Sequence, residues 1–163
     1  MVILGIDPGI KGGICFLYPD DIAVHPMPPT DSDWSWFRSV CMAYKPQAFV
    51  EKVHSLPKQG VASTFKFGTG YGFIRGMLIG LSVPTYLVTP QAWMKTMLAG
   101  ESKADKKAAS IAVAARMWPD CSFLPSERCR KPSDGMCEAA LIAGYGRLRL
   151  GIEKIPPSSG DFS

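Results

Sequence analysis

Residues 1–27, MVILGIDPGIKGGICFLYPDDIAVHPM, decide what kind of fold the rest of the chain has to complete. MVILGID (1–7) is a short apolar run with β-branched residues, closed by Pro8-Gly9, which predicts a buried strand and a turn. GGICFLY (12–18) and IAVHPM (22–27) predict two further strands joined by a Pro-Asp-Asp turn. Three consecutive strands need a layer of helices to cover them, and the remaining sequence supplies it.

PPTDSDWSWFRSVCMAY (28–44) has a proline-rich lead, an Asp/Ser cap region and helical spacing of Trp34, Phe37, Val40 and Cys41. PQAFVEKV (46–53) predicts a fourth strand and VPTYLVTP (83–90) a fifth. Between them, GVASTFKFGTGYGFIRGMLIGL (60–81) reads as helical over at least its later part, despite its glycines. PQAWMKTML (90–98) predicts a short helix, and KADKKAASIAVAARMWP (103–119) a longer one stopped by Pro119. CSFLPSERCRKPS (121–133) reads as loop, followed by a helix from Asp134 with a clear apolar side. The fold class is therefore α/β, a mixed five-stranded sheet flanked by helices. Residues 1–151 form one domain, and 152–163 have the composition of a flexible tail.

With 163 residues, 47% hydrophobic and 20% charged, the chain suits one domain with a real core. Gly72, Arg75, Gly76 and Gly80 interrupt the best candidate for a membrane span, and the N-terminus lacks a basic leader. Five cysteines without a C-x-x-C pair fit free thiols in a reducing cytoplasm. Net charge is +4, but five of the fourteen acids fall in residues 1–33 against a single basic residue there, Lys11. The later part is basic, which is compatible with a polyanionic partner.

Four carboxylates fall at telling places. Asp7 ends the first strand and Glu51 the fourth, while Asp134 and Glu138 stand one helical turn apart at the start of the last helix. In α/β sheets, ligands gather at the carboxyl ends of strands and at nearby helix starts. Any one such acid reads most simply as a cap or turn residue. Together they favour a shared cation, since stacked like charges repel and acids closing apolar runs lose hydration. An all-oxygen ligand set suits Mg²⁺ or Mn²⁺, and two ions could share Asp7, with Glu51 on one and the 134/138 pair on the other. His25 and His54 are too few and too far apart to suggest zinc.

GIDPGIKGG (5–13), FVEKVHSLPKQGVASTFKFG (49–68), VTPQAWMK (88–95) with KADKKA (103–108), and DGMCEAALIA (134–143) together resemble the RuvC family of Holliday junction resolvases. The resemblance runs from about residue 2 to 148 and is nearest to the compact enzymes of phages and some bacteria. It implies an RNase H-like fold, a homodimer, and Mg²⁺-dependent cutting of branched, four-way DNA without an organic cofactor. It matches Asp7, Glu51, Asp134 and Glu138 to the family's catalytic acids. Lys95 and Lys106 fall where the family tends to place basic residues near the active site, which implies a catalytic role for them, with Lys103 and Lys107 adjacent for contact with DNA. Glu138 stands where Asp is commoner, at a different spacing from Asp134. His54 occupies the place of an aromatic wedge.

Lys58, Lys66, Phe65, Phe67 and Tyr71 interleave charge and aromatics after the fourth strand, a composition that can hold phosphates and stack on bases. Phe65 is the better candidate for DNA contact and Phe67 for helix core; Trp93 and Trp118 read as core. Gly72, Gly76 and Gly80 leave a smooth stripe for close approach of another helix, within the chain or across a dimer. Three rival functions remain open to the sequence: a nuclease of flaps, forks or single strands, a junction-binding protein without catalysis, and an actin-like ATPase suggested by GIDPG. The last lacks a second phosphate motif.

Overall fold

The structure, a computed structural model, describes residues 1–29, 34–53, 60–102 and 104–152. His54, Lys58, Lys103 and the tail from 153 onward lie outside the described residues.

Five strands form one sheet in the order β3-β2-β1-β4-β5: β1 (Ile3–Asp7), β2 (Gly13–Leu17), β3 (Ile22–Pro26), β4 (Gln47–Glu51) and β5 (Thr85–Val88). The first three are an antiparallel meander, whereas β4 and β5 join parallel to β1. Parallel addition requires a return crossing, and the helices α1 (Ser35–Tyr44) and α2 (Val61–Gly80) supply it. α3 (Pro90–Met97), α4 (Lys106–Met117) and α5 (Asp134–Arg149) follow. This is the mixed five-stranded α/β architecture expected from the sequence.

Strand alternation divides the core in two. Leu4, Ile6, Ile14, Phe16 and Val50 pack with Phe37, Cys41, Ile74 and Leu78 from α1 and α2. Ile3, Cys15, Leu17 and Phe49 face the other way, onto Trp93, Val113 and the apolar residues of α5. The last three helices have side-chain caps: Thr89, Asp105 and Ser133 accept from the backbone N–H groups of Ala92, Ala108 and Met136.

α5 is not the one-sided amphipathic helix expected from its sequence. Nearly every residue from Gly135 to Arg147 is buried, because α5 lies between the sheet and the α3/α4 layer. Its close seating depends on small residues. A Cβ added to Gly5 would lie 2.5 Å from Ala143 N and 2.8 Å from Ala143 Cβ; one added to Gly13 would lie 2.7 Å from Met136 Cα. Gly135 meets the backbone of Lys11 and Gly12 in the same way. Among the described residues, no helix is long and apolar enough to cross a membrane.

Candidate active site

The same alternation that sorts the core selects which side chains meet at the sheet edge. Ile3 and Gly5 face α5, so Asp7, two residues further, projects on that side at the strand end. Ile6 pairs with Val50 in the parallel β1/β4 ladder, which brings the ends of both strands level and sets Glu51 beside Asp7. Phe49 lies in the α5-side core, so Glu51 shares its face. The glycine-mediated seating of α5 then delivers Asp134 and Glu138 to the same edge.

Each acid has a distinct local environment. Asp7 Oδ1 accepts from Gly9 N–H at 3.1 Å, a bond that ties the carboxylate to the Pro8–Gly12 turn. Burial nevertheless pushes its pKa up to about 7, the Gly9 bond pulling it down and the Glu51 and Asp134 charges adding to the rise. Glu138 also rises to about 7, first through burial and then through repulsion from Asp7, Glu51 and Asp134. Its Oε1 accepts from Ser110 Oγ at 3.4 Å. Glu51 is shifted upward by burial, against the lowering effect of its bond from Trp93. Asp134 goes the other way, because Lys107 Nζ lies 2.6 Å from its Oδ2 and holds the carboxyl below its ordinary range.

Among the described residues, Lys107 is therefore the lysine paired with an acid of this set, Asp134. Lys95 and Lys106 are exposed, and no ion pair joins either to these acids among the described residues. The neighbour of Asp134 had been left open by the sequence, where two of the four candidates stand side by side at the start of α4.

Trp93 adds a contact that sequence reasoning assigned only to the core. It is fully buried, and its Nε1–H donates to Glu51 Oε2 at 2.7 Å. A buried indole N–H needs an acceptor, and that requirement was the available signal. Trp93→Phe should leave one carboxylate oxygen of Glu51 without its donor and slow any reaction at this site about 10–100-fold, the usual effect of losing a supporting contact. Comparing the turnover and melting temperature of Trp93→Phe checks this: an intact rate would make Trp93 packing alone.

The donors are all oxygen, and three of the acids are desolvated, with Lys107 as their cationic neighbour among the described residues. That chemistry and electrostatic state fit a hard divalent cation. The carboxylates feel one another's charge, but among the described residues no three potential ligands are drawn into a closed metal-holding cluster.

Raised carboxyl pKa values link stability to pH. Asp7 and Glu138 keep their protons to about pH 7 in the folded chain but release them near pH 4 when unfolded. The folded state then binds more protons, so stability falls as pH rises from about 4 to 7 and levels off above. The metal-free protein should melt higher at pH 5.5 than at pH 8. Asp134, whose pKa is lowered, opposes this only below about pH 4. A melting temperature that rises over this interval would contradict the burial of the pair.

The remaining sequence candidates lie on α2. Phe65 is 77% exposed, and Lys66 is exposed beside it. Phe67 is half-buried and lines a cavity. Only Ile74 and Leu78 of this 20-residue helix are buried. The opposite side carries Val61, Phe65 and Ile79 with Gly68, Gly72, Gly76 and Gly80, and a Cβ at any of these glycines would meet nothing within 4 Å. The glycine stripe thus serves no packing inside the chain among the described residues.

No protein-family model matches the chain, and no curated protein does. Solved structures do. Thermus thermophilus RuvC is 20% identical with a TM-score of 0.55, the match covering 93% of this chain and 98% of that one. T. thermophilus RuvC in complex with Holliday junction substrate gives 20% identity and a TM-score of 0.55, over 93% and 97% of the two chains. The yeast mitochondrial Holliday junction resolvase Ydc2 is 15% identical with a TM-score of 0.53, over 92% and 79%. At these identities the likeness is one of architecture: the chain has the RNase H-like fold of RuvC-type proteins.

Proposed function

We propose that this protein is a structure-selective DNA endonuclease that resolves four-way junctions by metal-dependent phosphodiester hydrolysis. The observation that carries the reading is the meeting of Asp7, Glu51, Asp134 and Glu138 from three distant chain segments at one sheet edge, with burial raising three of their pKa values. The fold it shares with a RuvC solved on a Holliday junction substrate points the same way.

Asp7, Glu51, Asp134 and Glu138 would hold Mg²⁺, with Mn²⁺ substituting, as two ions per site. Bound ions of this kind lower the pKa of water and offset charge on a phosphodiester. The protein's own contribution is to hold the acids in register on rigid elements. Gly9 N–H orients Asp7 and Trp93 Nε1–H orients Glu51. Lys107, exposed beside Asp134, can meet an incoming phosphate oxygen. Lys66 and Phe65 lie on α2 for contact with the branched strands, and with Lys58, Lys95, Lys103, Lys106 and His54 they complete the proposed DNA-contacting set.

Paired cutting of a near-two-fold junction asks for a two-fold enzyme. The outward face of the later half of α2, where Gly72, Gly76 and Gly80 flank the exposed Ile79 beyond Phe65, supports a homodimer formed there. Gly76→Leu should keep the fold, since a side chain at Gly76 enters open space, yet weaken self-association and convert paired incision to single nicks. Sedimentation and nick-versus-resolution assays on the variant read this out; an unchanged dimer would place the interface elsewhere.

The functional test is incubation with Mg²⁺ and a labelled immobile junction, duplex, flap and fork in parallel. Preferential, symmetric cutting of the junction is expected. Equal or better cutting of flaps, forks or single strands would redirect the assignment, and tight junction binding without cutting would make the protein a binder.

A further inference from the structure

A cleft of about 240 Å³ opens beside the acids, between the turn that follows β1 and the loop that leads into α5. Asp134 is part of its wall, so the cleft and the acid set share a residue. The turn contributes Ile10 and Lys11, and the loop contributes Pro125, Lys131 and Pro132. The backbone of Lys11 packs against Gly135, which fixes this wall relative to the start of α5. At that volume the cleft falls below the ~300–1,000 Å³ of pockets that enclose a whole small molecule. It suits one unit of a longer chain passing through.

Charge selects the occupant. Lys11 and Lys131 come from distant segments, both are exposed, and no ion pair holds either among the described residues. The acid in the wall, Asp134, is already paired with Lys107. Two cations thus meet one neutralised carboxylate, an arrangement that attracts an anion and repels a further cation. Lys11 is also the single basic residue among the five acids of residues 1–33, so its place in this wall does not follow from a basic surroundings. Ile10 is 59% exposed and, with the two prolines, adds apolar surface beside the cations. A backbone unit of DNA matches both features, its phosphate meeting the lysines and the carbon face of its deoxyribose meeting Ile10 and the prolines.

We propose that this cleft holds the backbone phosphate next to the one at the acids, clamped by Lys11 and Lys131. It takes the neighbour rather than the reacting phosphate because, of the four acids, Asp134 alone lines it. The inference rests on the function proposed above for its ligand and adds two residues to the contacts named there. A phosphate fixed one unit away sets the register of the strand against the acids, and a misplacement of about 1 Å can slow a reaction ~10²-fold. Phosphate contacts carry no sequence information, so the clamp positions a strand of any sequence.

The test places uncharged methylphosphonate linkages one at a time near the branch point of a junction. Two readouts use the full chain: cutting with Mg²⁺, and binding with Mg²⁺ to Asp7→Asn, which keeps the strands whole. At one position beside the cut phosphate, the neutral linkage should weaken binding about 10-fold, the scale of one lost hydrogen bond to a charged group. Cutting should slow by at least as much. Lys11→Gln/Lys131→Gln should weaken binding of the unmodified junction by a similar factor, and the neutral linkage should then add nothing at that position while keeping its effect elsewhere. Lys11→Arg/Lys131→Arg should behave as the wild type does. Effects that multiply at every position overturn the proposal, because the lysines then add only a general field, and so does sensitivity lost at the cut phosphate itself. Cutting without any such coupled position keeps the nuclease and removes the clamp. Coupled binding by a protein that cuts nothing defeats the nuclease assignment and keeps the clamp. Absence of binding overturns both.

Discussion

Asp7→Asn and Glu51→Gln are each expected to lower metal-dependent junction cleavage by at least about 10²–10³-fold, the scale of removing one preorganised charge-stabilising group, while junction binding persists. Both changes are nearly isosteric, and neither residue anchors the core: among the described residues the Asp7 side chain bonds its own turn and the Glu51 side chain bonds Trp93. Each removes one negative charge from a set whose members repel, so the metal-free variants should melt at or above the wild-type temperature at pH 8. Activity loss with preserved or raised stability distinguishes a site from a cap. Cleavage at the wild-type rate would remove that residue from the site, and a large fall in melting temperature would return it to a structural role.

Gly5→Val carries the largest expected effect on stability. Gly5 is in the middle of β1, where even one added methyl would press into Ala143 and the α5 backbone. Backbone cannot give way as a flexible side chain can, so α5 must lift from the sheet. A cost above the usual ~1–3 kcal/mol of overpacking is expected, a large share of a single domain's stability. Gly5→Ala should be milder in the same direction and carries an extra signature. If it folds, Asp134 and Glu138 move away from Asp7, and activity should fall more than the lost stability explains. Denaturant midpoints and turnover on one preparation check both; a Gly5→Ala protein equal to wild type in both would mean the helix has room that the structure denies it.

Both outcomes depend on features of unequal visibility in the sequence. Asp7 and Glu51 are visible because each ends an apolar run of strand length, and Asp134 and Glu138 because they share one helical turn. These are local patterns, and local patterns also place the five strands and five helices of the described residues. Trp93 was legible as core but not as the donor to Glu51, since that contact joins residues 42 apart through the β4/β5 register and the pitch of α3. The choice of Lys107 over its neighbour Lys106 depends on the rotation of α4 against α5, which no spacing encodes. Gly5 was unreadable for a related reason: within MVILGID it looks like any interruption of a strand, and its meaning is the helix above it. The glycines of α2 were noticed, but whether they face inward or outward followed only from Ile74 and Leu78 taking the buried side.

The seating of α5 has a consequence for the order in which the protein becomes competent during synthesis. Asp7 is made well before Asp134 and Glu138, which belong to α5, and α5 also completes the core against β1 and β2. A nascent chain that has emerged only as far as α4 holds two of the four acids and an uncovered sheet face. Its pairing of the earliest strand with the latest helix makes the final docking a long-range, comparatively slow event. Assembly of the four acids is thereby withheld until α5 has been made, and fragments released before it would be unable to assemble the set on their own.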